Sequence, residues 1–179
     1  MGNPPHAPAS RARGVGTSAY RPRGGQSGLS RAAPRTTPGA RALHALFAEM
    51  QAAGASDVVL EASSHALAQG RLDGCRFRVA GLTNLPQDHL DFHGSMEEYY
   101  LAKASLFTPE RAVRAVVCVD DEWGQRLARE SEVPVVSVSA QGDCGADWQI
   151  RAAGPGPCDF ALVGDGRQPP LAPPLPGPC

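Results

Sequence analysis

Residues 115–139, AVVCVDDEWGQRLARESEVPVVSVS, contain the pattern that decides the fold. Two short, continuous apolar runs, at 115–119 and 133–138, flank a mostly polar segment at 122–131 that has helical character. Continuous apolar runs of this length are typical of strands that are buried on both faces, as in parallel sheets. Parallel neighbours need a crossover connection, which is usually a helix. The stretch therefore predicts a strand–helix–strand unit.

The same alternation of helices and strands continues upstream. Apolar runs at 58–60 and 79–82 predict two more strands, and apolar residues at helical spacing predict a helix over 41–53 with Thr37 as its N-cap. A Ser-x-x-Glu capping box opens a further helix at 95–107. The succession predicts an α/β fold, namely an open, mostly parallel sheet with flanking helices.

Composition predicts one folded domain with irregular ends. The chain has 179 residues, 42% of them hydrophobic, and a formal net charge of -1, which favours a globular core and no nucleic-acid or membrane partner. Its 20 glycines and 17 prolines concentrate near both ends. We therefore expect an Arg/Gly/Pro-rich segment at 1–34, the folded domain at 35–150 and a Pro/Gly-rich tail at 151–179, with both ends disordered.

Several classes of protein are disfavoured by the pattern of the chain. No apolar run approaches the ~18 residues that a membrane span needs, and the start lacks the apolar stretch of a signal peptide, which predicts a cytoplasmic protein. The five cysteines include no CxxC pair, so neither a zinc site nor a disulfide framework is indicated. The seven arginines up to Arg41 fit a nucleic-acid- or lipid-binding arm or a solvated tail, and we expect the tail.

Polar side chains follow three of the predicted strands, where ligands bind in open α/β sheets. Two interpretations stand beside each other: a site for a divalent cation, or caps and turn formers. Carboxylates and hydroxyls favour magnesium over zinc, and the Asp-rich stretch at 88–94 predicts a loop. The side chains concerned are Glu61, Ser63, Ser64 and His65, then Thr83, Asn84, Asp88, His89, Asp91 and His93, and finally Asp120, Asp121 and Glu122.

Lys103 is the only lysine of the chain and lies on the helix predicted at 95–107. An isolated helical lysine is usually a surface side chain whose stem covers apolar neighbours. A functional interpretation needs support from other residues.

Four ordered motifs supply that support, because together they resemble the central domain of Mur ligases. They are RTTP at 35–38, EASSHALAQGR at 61–71, TNLPQDHLDFHG at 83–94 and AKASLF at 102–107. The resemblance implies a partial ligase domain that takes part in peptidoglycan precursor synthesis. The implied reaction uses ATP to join meso-diaminopimelate, or lysine, to UDP-N-acetylmuramoyl-L-alanyl-D-glutamate through an amide bond.

The resemblance also implies roles for individual residues. The UDP-muramoyl dipeptide would be bound by Thr36, Thr37, Ser63, Gln69 and Arg71. A magnesium ion would be held by Glu61, His89 and Lys103, the last as its carbamate. Carbamylation suits this role because it replaces a cation that repels the metal by an anion with two oxygens.

One motif that the implied reaction needs is missing from the sequence. The phosphate-cradling loop GxxxxGK[ST] is absent, since the only lysine follows Ala102. The amino-terminal and carboxy-terminal ligase domains have no counterpart here either. We therefore expect a chain that is inactive alone, and three alternatives stay open: a ligase completed by a separately encoded fragment, a non-catalytic binder of UDP-muramoyl peptide, or a vestigial fragment.

Overall fold

A computed structural model describes the folded parts of the chain. The described residues are 12–15, for which only the backbone is considered, and 35–52, 55, 57–87, 90–142, 145–152 and 160–164. The chain divides into two compact units, Met1–Asp73 and Gly74–Cys179. Each unit is described by itself.

The described part of the first unit holds two strands and two helices. In chain order they are β1 (Ala12–Val15), α1 (Ala40–Ala52), β2 (Asp57–Leu60) and α2 (Ser64–Ala68). The strand predicted at 58–60 and the helix predicted at 41–53 are confirmed to within one residue. β1 pairs with β2 in parallel, from Ala12 beside Asp57 to Val15 beside Leu60. The prediction that the whole of 1–34 is irregular is therefore wrong for residues 12–15, because their backbone pairs with a strand 45 positions further on.

The start of α1 differs from the prediction. The helix begins at Ala40, and its first hydrogen bond runs from Leu43 N to Gly39 O at 2.9 Å. Thr37 is therefore not its N-cap, because the Thr37 hydroxyl bonds to Glu61 and Ser63 instead. α1 buries Leu43 and Met50, which are seven residues apart and therefore lie on the same face of the helix.

The second unit contains most of the predicted α/β alternation. Its elements are β3 (Ala80–Leu82), α3 (Leu90–His93), α4 (Met96–Ala104), β4 (Ala115–Cys118), α5 (Glu122–Glu130), β5 (Val135–Ser139), β6 (Trp148–Ala152) and β7 (Phe160–Gly164). The five strands form one sheet in the order β3-β4-β5-β6-β7, parallel except for the last pair. The mostly parallel sheet with flanking helices is thus confirmed, whereas β2 pairs with β1 and not with this sheet.

Caps and core residues explain why the helices of this unit form where they do. Ser95 accepts a hydrogen bond from Glu98 N, and Asp121 accepts one from Gly124 N, so each is the N-cap of its helix. α4 buries Tyr100 and α5 buries Leu127, at 1% exposure each. The stretch predicted as a loop at 88–94 is helical at Leu90–His93, and that part of the prediction is wrong because His93 packs into the core at 5% exposure.

The folded unit extends beyond the predicted boundary at residue 150. β6 and β7 form an antiparallel pair, with Trp148 beside Gly164 and Ala152 beside Phe160. The apolar run FALV at 160–163 makes a strand although glycine and proline dominate the composition around it. The disorder predicted for the ends concerns residues that otherwise lie outside the described part of the chain. No helix among the described residues is long and apolar enough to cross a membrane.

Candidate functional site

A buried threonine joins two sequence motifs in the first unit. Thr37 is 1% exposed, and its Oγ1 donates a hydrogen bond to the carbonyl oxygen of Glu61 at 2.8 Å. The backbone N–H of Ser63 donates to Thr37 Oγ1 at 3.0 Å, and the Ser63 hydroxyl oxygen lies 3.2 Å from it. The turn at 35–38 and the segment that follows β2 are therefore held together by one side chain.

An arginine completes this network. Arg71 Nη1 donates to the carbonyl oxygen of Thr37 at 3.0 Å, while Nε and Nη2 donate to Gln69 Oε1 at 3.0 and 2.6 Å. The backbone of the same segment turns after α2, with Gly70 in the left-handed region at φ +64° and Arg71 N bonded to Ala66 O at 2.9 Å. The turn brings Arg71 next to Thr37, 34 positions away in the sequence, and Gln69 next to Arg71.

The network offers donors to an anionic ligand. Three of the five N–H groups of Arg71 are used by Thr37 and Gln69 among the described residues, and two remain. Because Gln69 turns its oxygen to Arg71, its amide NH₂ faces elsewhere. Ser63 caps α2 by accepting from Ala66 N at 3.3 Å, and its hydroxyl proton can point to Thr37 Oγ1 at 3.2 Å or to a ligand. Guanidinium, amide and hydroxyl donors in one place suit carboxylate and phosphate oxygens.

The structure brings together most of the residues expected to bind substrate. Thr37, Ser63, Gln69 and Arg71 form the network, and half-buried Thr36 precedes Thr37 in the same turn. The backbone of Glu61 takes part as well, while the Glu61 residue as a whole is exposed.

The residues expected to bind metal are described only in part. His89 lies outside the described residues, and half-buried Lys103 lies on α4 in the second unit. No group of three or more His, Cys, Asp or Glu side chains that could hold a metal ion occurs in the described part of the chain. The exposed carboxylate of Glu61 is nevertheless a hard oxygen ligand of the kind that Mg²⁺ prefers.

Caps and turns account for the acidic side chains that follow β4. Asp120 accepts hydrogen bonds from Ser139 Oγ at 2.5 Å and from Ala140 N at 2.8 Å. Burial raises the pKa of Asp120, but these hydrogen bonds outweigh it and hold that pKa below its ordinary value. Asp121 accepts from Gly124 N at 2.6 Å and from Leu85 N at 3.4 Å. The interpretation as caps and turn formers is therefore confirmed for these two residues.

Two further side chains near the predicted site are structural. His93 stacks on Tyr99 with ring centroids 5.2 Å apart and meets the edge of Phe92 at 4.8 Å, which makes it a core residue. The Cys118 thiol has a raised pKa, first because of burial, and this makes it a poor nucleophile.

The buried contacts of Thr37 are the feature that sequence reasoning missed. Its partners lie 24 and 26 positions away, and no local pattern signals a contact over that distance. The nearest signal is the proline after it, which favours an extended backbone at residue 37 and so a turn that leaves the helix.

Comparison with known proteins relates this geometry to a family. The family model of the Mur ligase middle domain matches residues 13–154, a range that includes all four motifs and begins within β1. The UDP-N-acetylmuramoyl-L-alanyl-D-glutamate--2,6-diaminopimelate ligase of Streptomyces coelicolor is 52% identical over 132 residues, which are 73% of this chain and 26% of that protein. The UDP-N-acetylmuramyl-tripeptide synthetase of Leifsonia xyli subsp. xyli is 48% identical over 115 residues, 64% of this chain and 22% of that protein.

A solved structure of a UDP-N-acetylmuramoyl-L-alanyl-D-glutamate--2,6-diaminopimelate ligase is also similar. It has a TM-score of 0.73 and 31% identity, and the match covers 93% of this chain and 34% of that one. The chain spans about a quarter of the length of the curated relatives that it matches.

Proposed function

Because the chain belongs to the Mur ligase family and covers part of its middle domain, we propose that it binds UDP-N-acetylmuramoyl-L-alanyl-D-glutamate for peptidoglycan precursor synthesis. The observation that carries this proposal is the network of Thr37, Ser63, Gln69 and Arg71. Relatives named for this substrate are about half identical to the chain. We place the protein in the cytoplasm, where this nucleotide precursor is made.

The chemistry of the ligand matches the donors of the network. A UDP-muramoyl dipeptide carries a diphosphate and carboxylates, all of which accept hydrogen bonds. Arg71 can donate two further N–H groups from a guanidinium whose orientation is already fixed by Thr37 and Gln69. Thr36, at the edge of the same turn, and the Ser63 hydroxyl would add neutral donors.

The proposed metal ligands belong to the same function. Glu61, His89 and the carbamate of Lys103 would hold Mg²⁺, and the exposed Glu61 carboxylate fits that ion. When bound, Mg²⁺ supplies charge neutralisation and orientation for phosphate and carboxylate oxygens.

Catalysis requires a phosphate-binding loop that this sequence does not contain. In the proposed reaction ATP phosphorylates the free carboxylate of the dipeptide, and the amine of meso-diaminopimelate or lysine then displaces phosphate to form the amide. The GxxxxGK[ST] loop would come from a separately encoded ligase fragment, which we propose as the protein partner. The chain alone is then a substrate-binding component.

Isothermal titration of the purified chain with UDP-N-acetylmuramoyl-L-alanyl-D-glutamate tests the proposal. We expect a dissociation constant below about 1 mM and a loss of about tenfold or more in Arg71→Ala, because a charge-assisted donor is removed. Arg151→Ala is a matched control, since Arg151 makes the same paired contact with Gln149 Oε1, at 3.1 and 2.6 Å, on β6. Absent binding, or an equal loss in both variants, would contradict the proposal.

A further inference from the structure

The sheet of the second unit ends in a strand that pairs on one side. Among the described residues, β3 bonds to β4 and to no other strand, so it is an edge of the mostly parallel sheet. We propose that this edge, together with the sheet face beside it, docks the strand and the helix that flank the GxxxxGK[ST] loop of the partner fragment. This inference rests on the proposed function, which assigns that loop to a second polypeptide.

The backbone of β3 presents hydrogen-bonding groups to this edge. Ala80 N donates to Arg114 O at 3.0 Å, so the polar backbone groups of Ala80 point to β4. Successive residues of a strand point these groups to opposite sides, and the register places Gly81 beside Val116. The N–H and C=O groups of Gly81 therefore point to the open edge, where a further strand can pair with them.

Gly81 also leaves space for another backbone. A glycine inside a strand packs no side chain and often marks a place where a second backbone approaches closely. A Cβ on Gly81 would meet Val116 O at an ordinary 3.9 Å, so packing within the described chain does not require a glycine at this position. An incoming strand at the edge gives this glycine a physical role.

The sheet face beside the edge is apolar and exposed. Val79 is 48% exposed and Val116 is 37% exposed. Both lie on the same face as Gly81, because side chains alternate along β3 and Val116 is the partner of Gly81 in the register. The opposite face is buried at Ala80 and Leu82. Since parallel sheets are normally covered by helices on both faces, a helix is expected over the two valines.

The fragment that carries the phosphate loop has both elements that these surfaces need. The GxxxxGK[ST] loop joins a strand to the helix that follows it. A strand docked parallel to β3 would place the loop at the carboxyl ends of the strands, where ligands bind in open α/β sheets. The helix would then run back along a face of the sheet and bury Val79 and Val116.

Amide hydrogen exchange in the full chain tests the docking edge. The added partner is a Mur ligase fragment that contains the loop with its flanking strand and helix. We expect this fragment to slow exchange at Gly81 by about fivefold or more beyond any slowing at Leu82, because the Leu82 N–H already faces β4. A complex in which the two amides slow equally would overturn the proposal.

Two substitutions at the edge test the same contact by affinity. Gly81→Pro removes the outward N–H, and Val79→Lys places a charge beside the edge, a device that keeps natural edge strands from pairing. Each should weaken calorimetric binding of the fragment about tenfold or more. The matched control is Leu101→Lys, which adds the same charge at an exposed apolar residue of α4 and should change the affinity less than about twofold. If Gly81→Pro does not fold, Val79→Lys decides, and equal losses in Val79→Lys and the control would overturn the proposal.

The direction of the docked strand has its own measurement. A spin label placed directly after the strand of the fragment should broaden the amide signal of Thr83 more than that of Phe77, because these residues lie at opposite ends of the edge. The reverse order would overturn parallel docking. A stable dimer of the chain that the fragment does not dissociate would show that a second copy covers the edge and would overturn the proposal as well.

The docking surface and the proposed substrate can fail separately. A fragment that does not bind overturns the docking surface, while titration with UDP-N-acetylmuramoyl-L-alanyl-D-glutamate still decides whether the chain binds the substrate. If the fragment protects Gly81 and the chain does not bind this nucleotide peptide, the proposed function fails and the docking surface stands.

Discussion

At the scale of single residues, position 124 has room only for glycine, because any Cβ there would overlap with the backbone. It is the third residue of α5, is buried, and its N–H bonds to Asp121 at 2.6 Å. A Cβ placed there would overlap with the carbonyl oxygen of Cys118 at the end of β4. Because both partners are backbone of regular elements, neither can move without loss of other hydrogen bonds.

Gly124→Ala should therefore destabilise the second unit by about 2 kcal/mol or more, the cost of overpacking between rigid groups. The urea midpoint measures this change. Gly81→Ala is the matched control, because a Cβ on Gly81 would meet Val116 O at an ordinary 3.9 Å. Equal midpoints for the two variants would contradict the packing constraint.

The hydrogen bonds to Asp120 make the free energy of unfolding depend on pH in the acid range. Donors led by Ser139 overcome the effect of burial and hold the pKa of Asp120 below its ordinary 3.8. A carboxyl whose folded pKa is lowered adds stability above its unfolded pKa, and that stability is lost as the pH falls through the folded value. Stability should thus decrease below about pH 4.

Ser139→Ala should raise the pKa of Asp120 towards its ordinary value, as followed by NMR titration of the carboxyl carbon. Asp120→Asn should flatten the decrease in thermal midpoint between about pH 4 and pH 2. A decrease of the same steepness in wild type and Asp120→Asn would show that other groups cause it.

At the scale of elements, Arg126 on α5 links this helix to α4. It forms a bidentate ion pair with Glu97, with contacts of 2.5 and 2.8 Å, and a third contact with Glu130 at 2.9 Å. Its guanidinium lies 4.1 Å from the centre of the Tyr100 ring, and the Tyr100 hydroxyl donates to Glu130 at 2.6 Å. The hydrogen bonds from Arg126 lower the pKa of Glu97.

Arg126→Met should lower the thermal midpoint, and Arg126→Lys should recover only part of the loss, because lysine cannot form the bidentate pair. The loss should shrink in high salt, since the ion pair is exposed. Arg129→Met, at an exposed position one turn along α5, is the control. A midpoint lowered equally by the control would indicate an effect of net charge alone.

Regular elements with strong local patterns were predictable, and contacts set by distant partners were not. The bounds of α5 could be predicted from the polar segment between two apolar runs, and the helix in the structure, with its cap at Asp121, agrees with the predicted 122–131 within one residue. β7 was not predicted, because this strand forms by pairing with β6 and the local composition around it does not indicate that pairing. Likewise, the motifs identified Thr37 as a site residue, whereas its burial depends on residues 24 and 26 positions away.

At the scale of the whole molecule, the described residues include the Thr37 network in the first unit and, in the second unit, the helix α4 that carries Lys103. The sequence contains no GxxxxGK[ST] loop, and the proposed function therefore predicts that phosphate release from ATP depends on an added fragment that carries this loop. We expect no release by the chain alone with ATP, Mg²⁺, UDP-N-acetylmuramoyl-L-alanyl-D-glutamate and meso-diaminopimelate.

Release should begin when a Mur ligase fragment that carries the loop is added, and it should be lost in Lys103→Ala. Release by the wild-type chain alone that disappears in Lys103→Ala would mean that phosphate is bound by another route. A cooperative thermal transition of the purified chain is also expected, and its absence would support the vestigial alternative.

The solitary lysine of α4 has a practical consequence for labelling. The other 16 residues among the 17 lysines and arginines are arginines, so Lys103 and the α-amino group are the primary amines that an amine-selective acylating reagent can modify. An α-amine is ordinarily less basic than a lysine side chain, so the α-amino group can be blocked first at neutral pH. A carbamate has no nucleophilic amine, so the fraction of Lys103 that resists acylation would report how much of the protein has taken up carbon dioxide.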